Sequence, residues 1–196
     1  MFSSNRSLAN AVVYMTGKID NNQQRIIALS GPRACGKSTI SEHLVRKLGY
    51  ERIAFADPLR EIAAVFSIDL KDDRFFLSEL GMTVRSLLPD FLIQVVKRKI
   101  KDTQTNLVIE DVRFLEEFEF CKSVNATTIR LEISAEQQLL NLQERGMKLS
   151  DAINVVGCED EMILDSKTGW DYIIPAVGKF EDVAIQLDYL ARGSES

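Results

Sequence analysis

The chain has 196 residues, more than an ordinary domain and fewer than two, so one domain carrying an insertion or an extension is expected. Its 24 Lys and Arg against 29 Asp and Glu give a formal charge of −5, which removes the sequence-independent attraction for phosphate backbones that drives non-specific nucleic-acid binding. Hydrophobic residues make up 45% and charged residues 27%, as in folded globular chains, and the apolar runs are too short to span a bilayer. A disordered chain and a nucleic-acid coat are thereby excluded, and no membrane-spanning helix is expected.

Residues 1–24 are polar, with one apolar patch (Ala11, Val12, Val13, Tyr14, Met15) that Asn10 and Thr16-Gly17-Lys18 bound too tightly for a secretory core. They read as an N-terminal extension to a single domain spanning 25–196. Residues 25–30 form a short continuous apolar run of the kind buried on both faces of a sheet. Ile40, Leu44, Val45 and Leu48 then recur at helical spacing until Gly49. A second strand is expected over 52–56, closed by Asp57-Pro58.

No strand-like run occurs in 59–104. Leu87, Leu88, Phe91, Leu92, Val95, Val96 and Ile100 make one wide helical stripe, with Lys97, Arg98, Lys99 and Lys101 in its last turns, where the helix dipole favours cations. Strands are expected over 106–110, 127–133 and 172–174, and an amphipathic helix carrying Phe180, Val183, Ala184, Leu187 and Leu190 ends the chain. Strands separated by helices imply a parallel sheet covered on both faces, an α/β three-layer fold of five strands.

Gly31-Pro32-Arg33-Ala34-Cys35-Gly36-Lys37-Ser38-Thr39 fits the phosphate-binding pattern G-x-x-x-x-G-K-[ST] without mismatch. The glycines let successive N–H groups turn inward on a phosphate, and the following helix adds its positive end. Lys37 would reach the β- and γ-phosphates, and the Ser38 hydroxyl would ligate Mg²⁺. Gly31, Arg33, Ala34, Cys35, Gly36, Lys37, Ser38 and Thr39 are therefore the expected nucleotide-binding residues. The base-reading N-K-x-D and any LSGGQ-like segment are absent, which leaves a small ATP-dependent phosphotransferase ahead of switch GTPases and transporter ATPases.

The second strand runs into Asp57-Pro58-Leu59-Arg60 and the third into Glu110-Asp111-Val112-Arg113-Phe114. Ligands of open parallel sheets bind outside the carboxyl ends of the strands, so Asp57, Arg60, Asp111 and Arg113 are candidates for one cleft. The P-loop, the stretch Phe55 to Arg60, Gly81-Met82-Thr83-Val84-Arg85, Glu110 to Phe114 with Glu117 following, and the later Glu161 and Asp165 before Trp170-Asp171 together resemble the deoxynucleoside monophosphate kinase family best represented in bacteriophages. Animal-type phosphomevalonate kinases look like a distant branch. The resemblance runs from about residue 25 to 190. It implies ATP as donor with Mg²⁺, and a (deoxy)nucleoside monophosphate as acceptor; a kinase for another small phosphorylated acceptor, phosphomevalonate-like or dephospho-coenzyme A-like, and a nucleotide-binding module that transfers nothing are the alternatives. It further implies Asp111 and Arg113 at the acceptor phosphate and metal, and Arg60 and Arg85 as further acceptor contacts.

Residues 134–158 are expected to form a lid in which Arg145 and Lys148, flanking Gly146-Met147, swing over the transferring phosphoryl group. Lys37, Arg113 and Arg145 are thus the expected catalytic cations, Ser38 and Asp111 the metal-side residues, and Asp57, Arg60, Arg85, Asp111 and Arg113 the acceptor-side ones. His43 reads as a solvated helix residue, Cys35 as an inert loop position, and Trp170, Phe75 and Phe76 as packing residues of the core or a hinge, with phenylalanines of the helical middle segment as the alternative lining of a base pocket. The three cysteines, Cys35, Cys121 and Cys158, lie far apart without a CxxC pair, which favours neither a disulfide framework nor a zinc site and suits a cytoplasmic setting. The expected partners are small nucleotides, with no nucleic acid and no membrane, and a homodimer is compatible with the sequence.

Overall fold

In the computed structural model, the described residues are 24–156, 158, 163–176, 183–185, 187, 188 and 191. The expected N-terminal extension lies outside them except for Gln24, and so do Glu161, Phe180 and Leu190. Strand β1 (Ile26–Ser30) is buried along its whole length and sits at the centre of a five-stranded sheet of order β2-β3-β1-β4-β5. The partners are β2 (Glu51–Ile53), β3 (Leu107–Val112), β4 (Thr127–Glu132) and β5 (Tyr172–Pro175). Each pairing is parallel, so helical crossovers cover both faces, as the alternation of strand and helix patterns implies.

The faces are sorted by the period-2 geometry of the strands. Ile26 and Ala28 of β1 join Leu107 and Ile109 of β3, with Phe55, Val96 and Phe118, in one core. Ile27 and Leu29 turn the other way to Val108, Ile129 and Leu131, with Leu44 and Leu187. The latter core takes helix α1 (Lys37–Leu48), which Gly49 ends in the left-handed conformation at φ +70°. Residues 183–185 are helical, and Leu187 is fully buried against this face. Tyr50 Oη and Arg25 Nη1 both donate to the Ala191 carbonyl, so the expected C-terminal amphipathic helix is recovered in its described residues.

Three expectations need correction. The second strand stops at Ile53, because the next amides turn to carboxylates in place of a strand neighbour. Ala54 N donates to Asp57 Oδ2 at 2.8 Å, Phe55 N to Asp111 Oδ1 at 2.7 Å, and Ala56 N to Asp111 Oδ2 at 3.0 Å. Helix α2 (Asp57–Phe66) starts at once, with Pro58 in its first turn. The stripe from Leu87 to Ile100 is not one helix. A 3-10 turn (Ile68–Asp72) leads into α3 (Arg74–Leu87), and α4 (Phe91–Asp102) follows after a break. Pro89 disfavours helical backbone at Leu88, which sits at φ −139°, ψ 77°. Finally, Phe75 does not pack in the core: it is 79% exposed and lines the cavity at the strand ends, as the pocket-lining alternative for this segment expects.

The remaining helices are α5 (Leu115–Ser123), α6 (Ala135–Glu144) and α7 (Leu149–Val156). Ser134 caps α6 by accepting from Gln137 N. The expected lid segment is thus a pair of helices joined at Gly146, where φ is +83°. Leu142 and Ala152 are buried against Ala34 of the P-loop, with Met147 packed alongside. Trp170 packs as expected, its ring edge-on to Phe118 at 4.5 Å.

Candidate active site

The carboxyl ends of β1, β2 and β3 open on one cavity of about 740 Å³. Arg33, Ala34, Gly36, Lys37 and Ser38 line one end of it, and Arg52, Arg60, Arg74, Arg85 and Arg113 line the remainder, with Arg145. Eight basic side chains face the space against four carboxylates, Asp72, Glu110, Asp111 and Glu117. A cavity with this charge excess in a chain of net charge −5 concentrates the attraction for anions in a single concave site.

The P-loop is built as the motif requires. Gly31 has φ +142°, and a Cβ there would lie 2.6 Å from the Leu131 carbonyl oxygen and 2.8 Å from Cys35 Sγ. Only glycine fits. Gly36 (φ +100°) and Ala34 (φ +63°) also take positive φ, curling the loop so that its amides converge at the start of α1. Lys37 Nζ donates to the Gly31 carbonyl at 2.5 Å and to the Pro32 carbonyl at 2.9 Å, so the ammonium spans the loop. Cys35 is buried in the core beneath it, and Gly31, Cys35 and Thr39 do not line the cavity.

The carboxylate beside Ser38 is Glu110, not the expected Asp111. Ser38 Oγ donates to Glu110 Oε1 at 2.5 Å. Asp111 has both oxygens engaged by the Phe55 and Ala56 amides, which makes it the tie between β3 and the turn into α2. Burial pushes its carboxyl above the usual range, against the pull of those two amides and of Arg113 and Arg60. The two acidic residues stand at a register shift in the β1–β3 pairing. Ala28 pairs with Ile109 and Ser30 with Val112, so two β3 residues oppose one on β1, a bulge that re-aims the side chains around it.

Asp57 does not line the cavity. It accepts from Arg52 Nη1 and Arg60 Nη1, both at 3.1 Å, and so fixes two arginines that do. Arg52 also bonds Glu110 through Nε, which makes a continuous chain Ser38–Glu110–Arg52–Asp57–Arg60 from the P-loop to the far wall. Arg85 donates through Nη2 to Glu117 Oε1 at 2.7 Å and stacks on Phe114 at 3.9 Å. Glu117 is 2% exposed, and its other oxygen accepts from the Arg113 and Phe114 amides at 2.9 and 3.2 Å. Burial first, and then the charge of Asp111, raise its carboxyl to about 7, opposed by the Arg113 amide and Arg85.

Arg145 ends α6 in the turn before Gly146 and faces the cavity. Asn141 Nδ2 donates to the Ala34 carbonyl at 2.9 Å, tying that helix to the P-loop. Arg130, 6% exposed, bonds Ser30 Oγ at 2.9 Å and also Asp165, bracing the strand that leads into the loop. His43 is not simply solvated: its Nε2 lies 2.6 Å from Asp188 Oδ1. Sequence reading assigned no role to Glu110, Arg52, Arg130 or Asn141. An arginine inside the apolar run of β4 was the one visible signal among them.

No protein-family model and no curated protein matches the chain. Among solved structures, TT1252 from Thermus thermophilus superposes with a TM-score of 0.59 at 15% identity, covering 89% of this chain and 100% of that one. A shikimate kinase from Acinetobacter baumannii, solved with shikimate, gives 0.57 at 17%, covering 89% and 96%. The shikimate kinase from Aquifex aeolicus gives 0.53 at 19%, covering 85% and 95%. The fold is that of the P-loop kinases. At these identities the likeness establishes the fold alone, and what the cavity binds has to be argued from its own chemistry. Among the described residues no helix is long and apolar enough to cross a membrane.

Proposed function

We propose that the chain transfers the γ-phosphoryl group of ATP to a phosphorylated small acceptor, a (deoxy)nucleoside monophosphate, giving the diphosphate. The observation that carries this reading is one cavity with a P-loop at one end and Arg52, Arg60, Arg85 and Arg113 beyond it, more cationic groups than a single phosphate chain needs. The P-loop amides, with Arg33 and Lys37, grip the donor. Lys37 leaves the Gly31 and Pro32 carbonyls for the β- and γ-phosphates.

The oxygen pair of Ser38 and Glu110 suits a hard cation, and these residues would hold Mg²⁺, which supplies charge neutralisation at the transferring group. Arg60, Arg85 and Arg113 hold the acceptor phosphate in line, and Arg145, carried by the α6–α7 lid, covers the reacting group as water is excluded. An acceptor phosphate oxygen is already a nucleophile at neutral pH. The engagement of Glu110, Asp111 and Glu117 by cations or amides therefore agrees with an acceptor that needs no strong base.

A second reading, a hydroxyl-bearing anionic acceptor, is favoured by the likeness to a shikimate kinase solved with shikimate. ADP release measured against deoxy- and ribonucleoside monophosphates, with shikimate and phosphomevalonate in the same panel, separates the two. Lys37→Ala should cut turnover at least about a hundredfold with the fold intact, since it removes charge stabilisation from the transferring group. Near-wild-type transfer in that variant would overturn the mechanism. Three thiols free of disulfides accord with a cytoplasmic setting.

A further inference from the structure

The guanidinium of Arg85 is fixed on an edge and on a face. The bond from Nη2 to Glu117 holds one edge at 2.7 Å, and the Phe114 ring holds one face at 3.9 Å. The third wall is a gap. Gly81 lies one turn earlier on α3, and a Cβ there would come within 3.0 Å of Arg85 Nη1 and 3.2 Å of Leu59 Cδ1. Glu117 is locked in turn by the Arg113 and Phe114 amides, so the carboxylate cannot follow a displaced arginine without leaving them. The arginine side chain is still 22% exposed and lines the cavity.

A glycine inside a helix weakens it relative to alanine, so Gly81 works against α3 and for something else. Space for the guanidinium is what the geometry offers. An arginine can present its planar fork to a phosphate with little loss of freedom only where its orientation is already set. Packing, stacking and a buried carboxylate together set it.

We propose that Gly81, Phe114 and Glu117 form a socket that presets Arg85 for the anionic group of the acceptor, the three acting as positioning residues while Arg85, of these four, touches the acceptor. The proposal rests on the reading of a phosphate-bearing acceptor given above. Its signature is selective: acceptor binding depends on the socket and ATP binding does not.

Gly81→Ala is the sharpest test, because the substitution favours the helix and crowds the guanidinium. Its thermal midpoint should hold or rise, while KM for the nucleoside monophosphate increases roughly tenfold, the scale of one charge-assisted hydrogen bond, and KM for ATP stays unchanged. Glu117→Gln should show the same split. Inorganic phosphate, titrated with Mg·ADP filling the P-loop and followed through the Arg85 side-chain NMR resonance, gives a reading independent of turnover. That resonance, assigned by its loss in Arg85→Lys, should saturate at higher phosphate in both variants. Wild-type phosphate affinity and wild-type acceptor KM in Gly81→Ala would overturn the socket. If the wild type phosphorylates no monophosphate while the phosphate titration still separates the variants, the functional reading fails and the socket stands.

Discussion

Ser38 Oγ and Glu110 Oε1 lie 2.5 Å apart, joining the first helix after the P-loop to the end of the neighbouring strand. Two oxygens that close, beside a loop shaped for phosphates, are the pair that would hold the proposed Mg²⁺. Asp111, one residue on, has both oxygens occupied by backbone amides. The two acidic neighbours therefore answer differently to substitution. Glu110→Gln should raise the Mg²⁺ concentration that half-saturates turnover by about tenfold or more, as expected when one hard ligand is lost. Asp111→Asn should leave that midpoint in place and lower stability by about 1–3 kcal/mol, since it weakens charged bonds to two amides. A Mg²⁺ midpoint that moves with Asp111 and not with Glu110 would reverse the assignment.

Arg52 links Glu110 to Asp57, and Asp57 in turn holds Arg60. Its side chain is 38% exposed, and ion pairs at such positions contribute about 0–1 kcal/mol to folding. Arg52→Ala should accordingly shift the urea midpoint little. It should lower kcat/KM by about tenfold or more, because it releases Glu110 on the donor side and Arg60 on the acceptor side together. A variant that loses stability and activity in equal proportion would show Arg52 to be structural only.

Gly31 tests the loop itself. With φ at +142° and a Leu131 carbonyl 2.6 Å from where a Cβ would stand, Gly31→Ala adds backbone strain to a steric clash with main chain that cannot rotate away. Strain of this kind costs about 1–3 kcal/mol. The variant should be less stable by at least that amount and should lose ATP affinity in calorimetric titration. Gly36→Ala, with nothing within 4 Å of its added Cβ, meets the strain of φ +100° without the clash and should be destabilised less.

Much of the fold was legible in the sequence because the signals were local. The apolar run before Gly31, the helical spacing of Ile40 and Leu44 and the apolar segments of β3 to β5 each follow from the chain's own periodicity. What escaped was decided by tertiary partners. The second strand ends early because Asp57 and Asp111 capture the amides of residues 54–56. Nor can one chain's pattern say whether Glu110 or Asp111 meets Ser38, since both stand at a bulge formed only when β3 pairs with β1. Pro89 was readable as a helix break, and the apolar stripe running across it hid the signal. The arginines of the cleft could be named from strand ends, with Asp57 three residues before Arg60, but the pairing of Arg85 with Glu117, 32 residues away, is set by tertiary packing.

Glu117 ties stability to pH. Its carboxyl is raised from 4.5 to about 7, first by burial and then by the charge of Asp111, so the folded chain holds that proton more tightly than the unfolded chain does. The resulting stabilisation is fully present below about pH 4.5 and is lost as pH rises through about 7, a span worth at most about 3 kcal/mol. Because the side chain is only 2% exposed, solvent screening takes little from it. Glu117→Gln has no such proton to lose. Its deficit relative to the wild type, measured by urea unfolding, should therefore be largest at pH 5 and shrink steadily to pH 8, even though the pairing with Arg85 strengthens over the same range in the wild type. A deficit that grows with pH would mean that the Arg85–Glu117 ion pair outweighs the cost of burying the charge, and that Glu117 is ionised throughout.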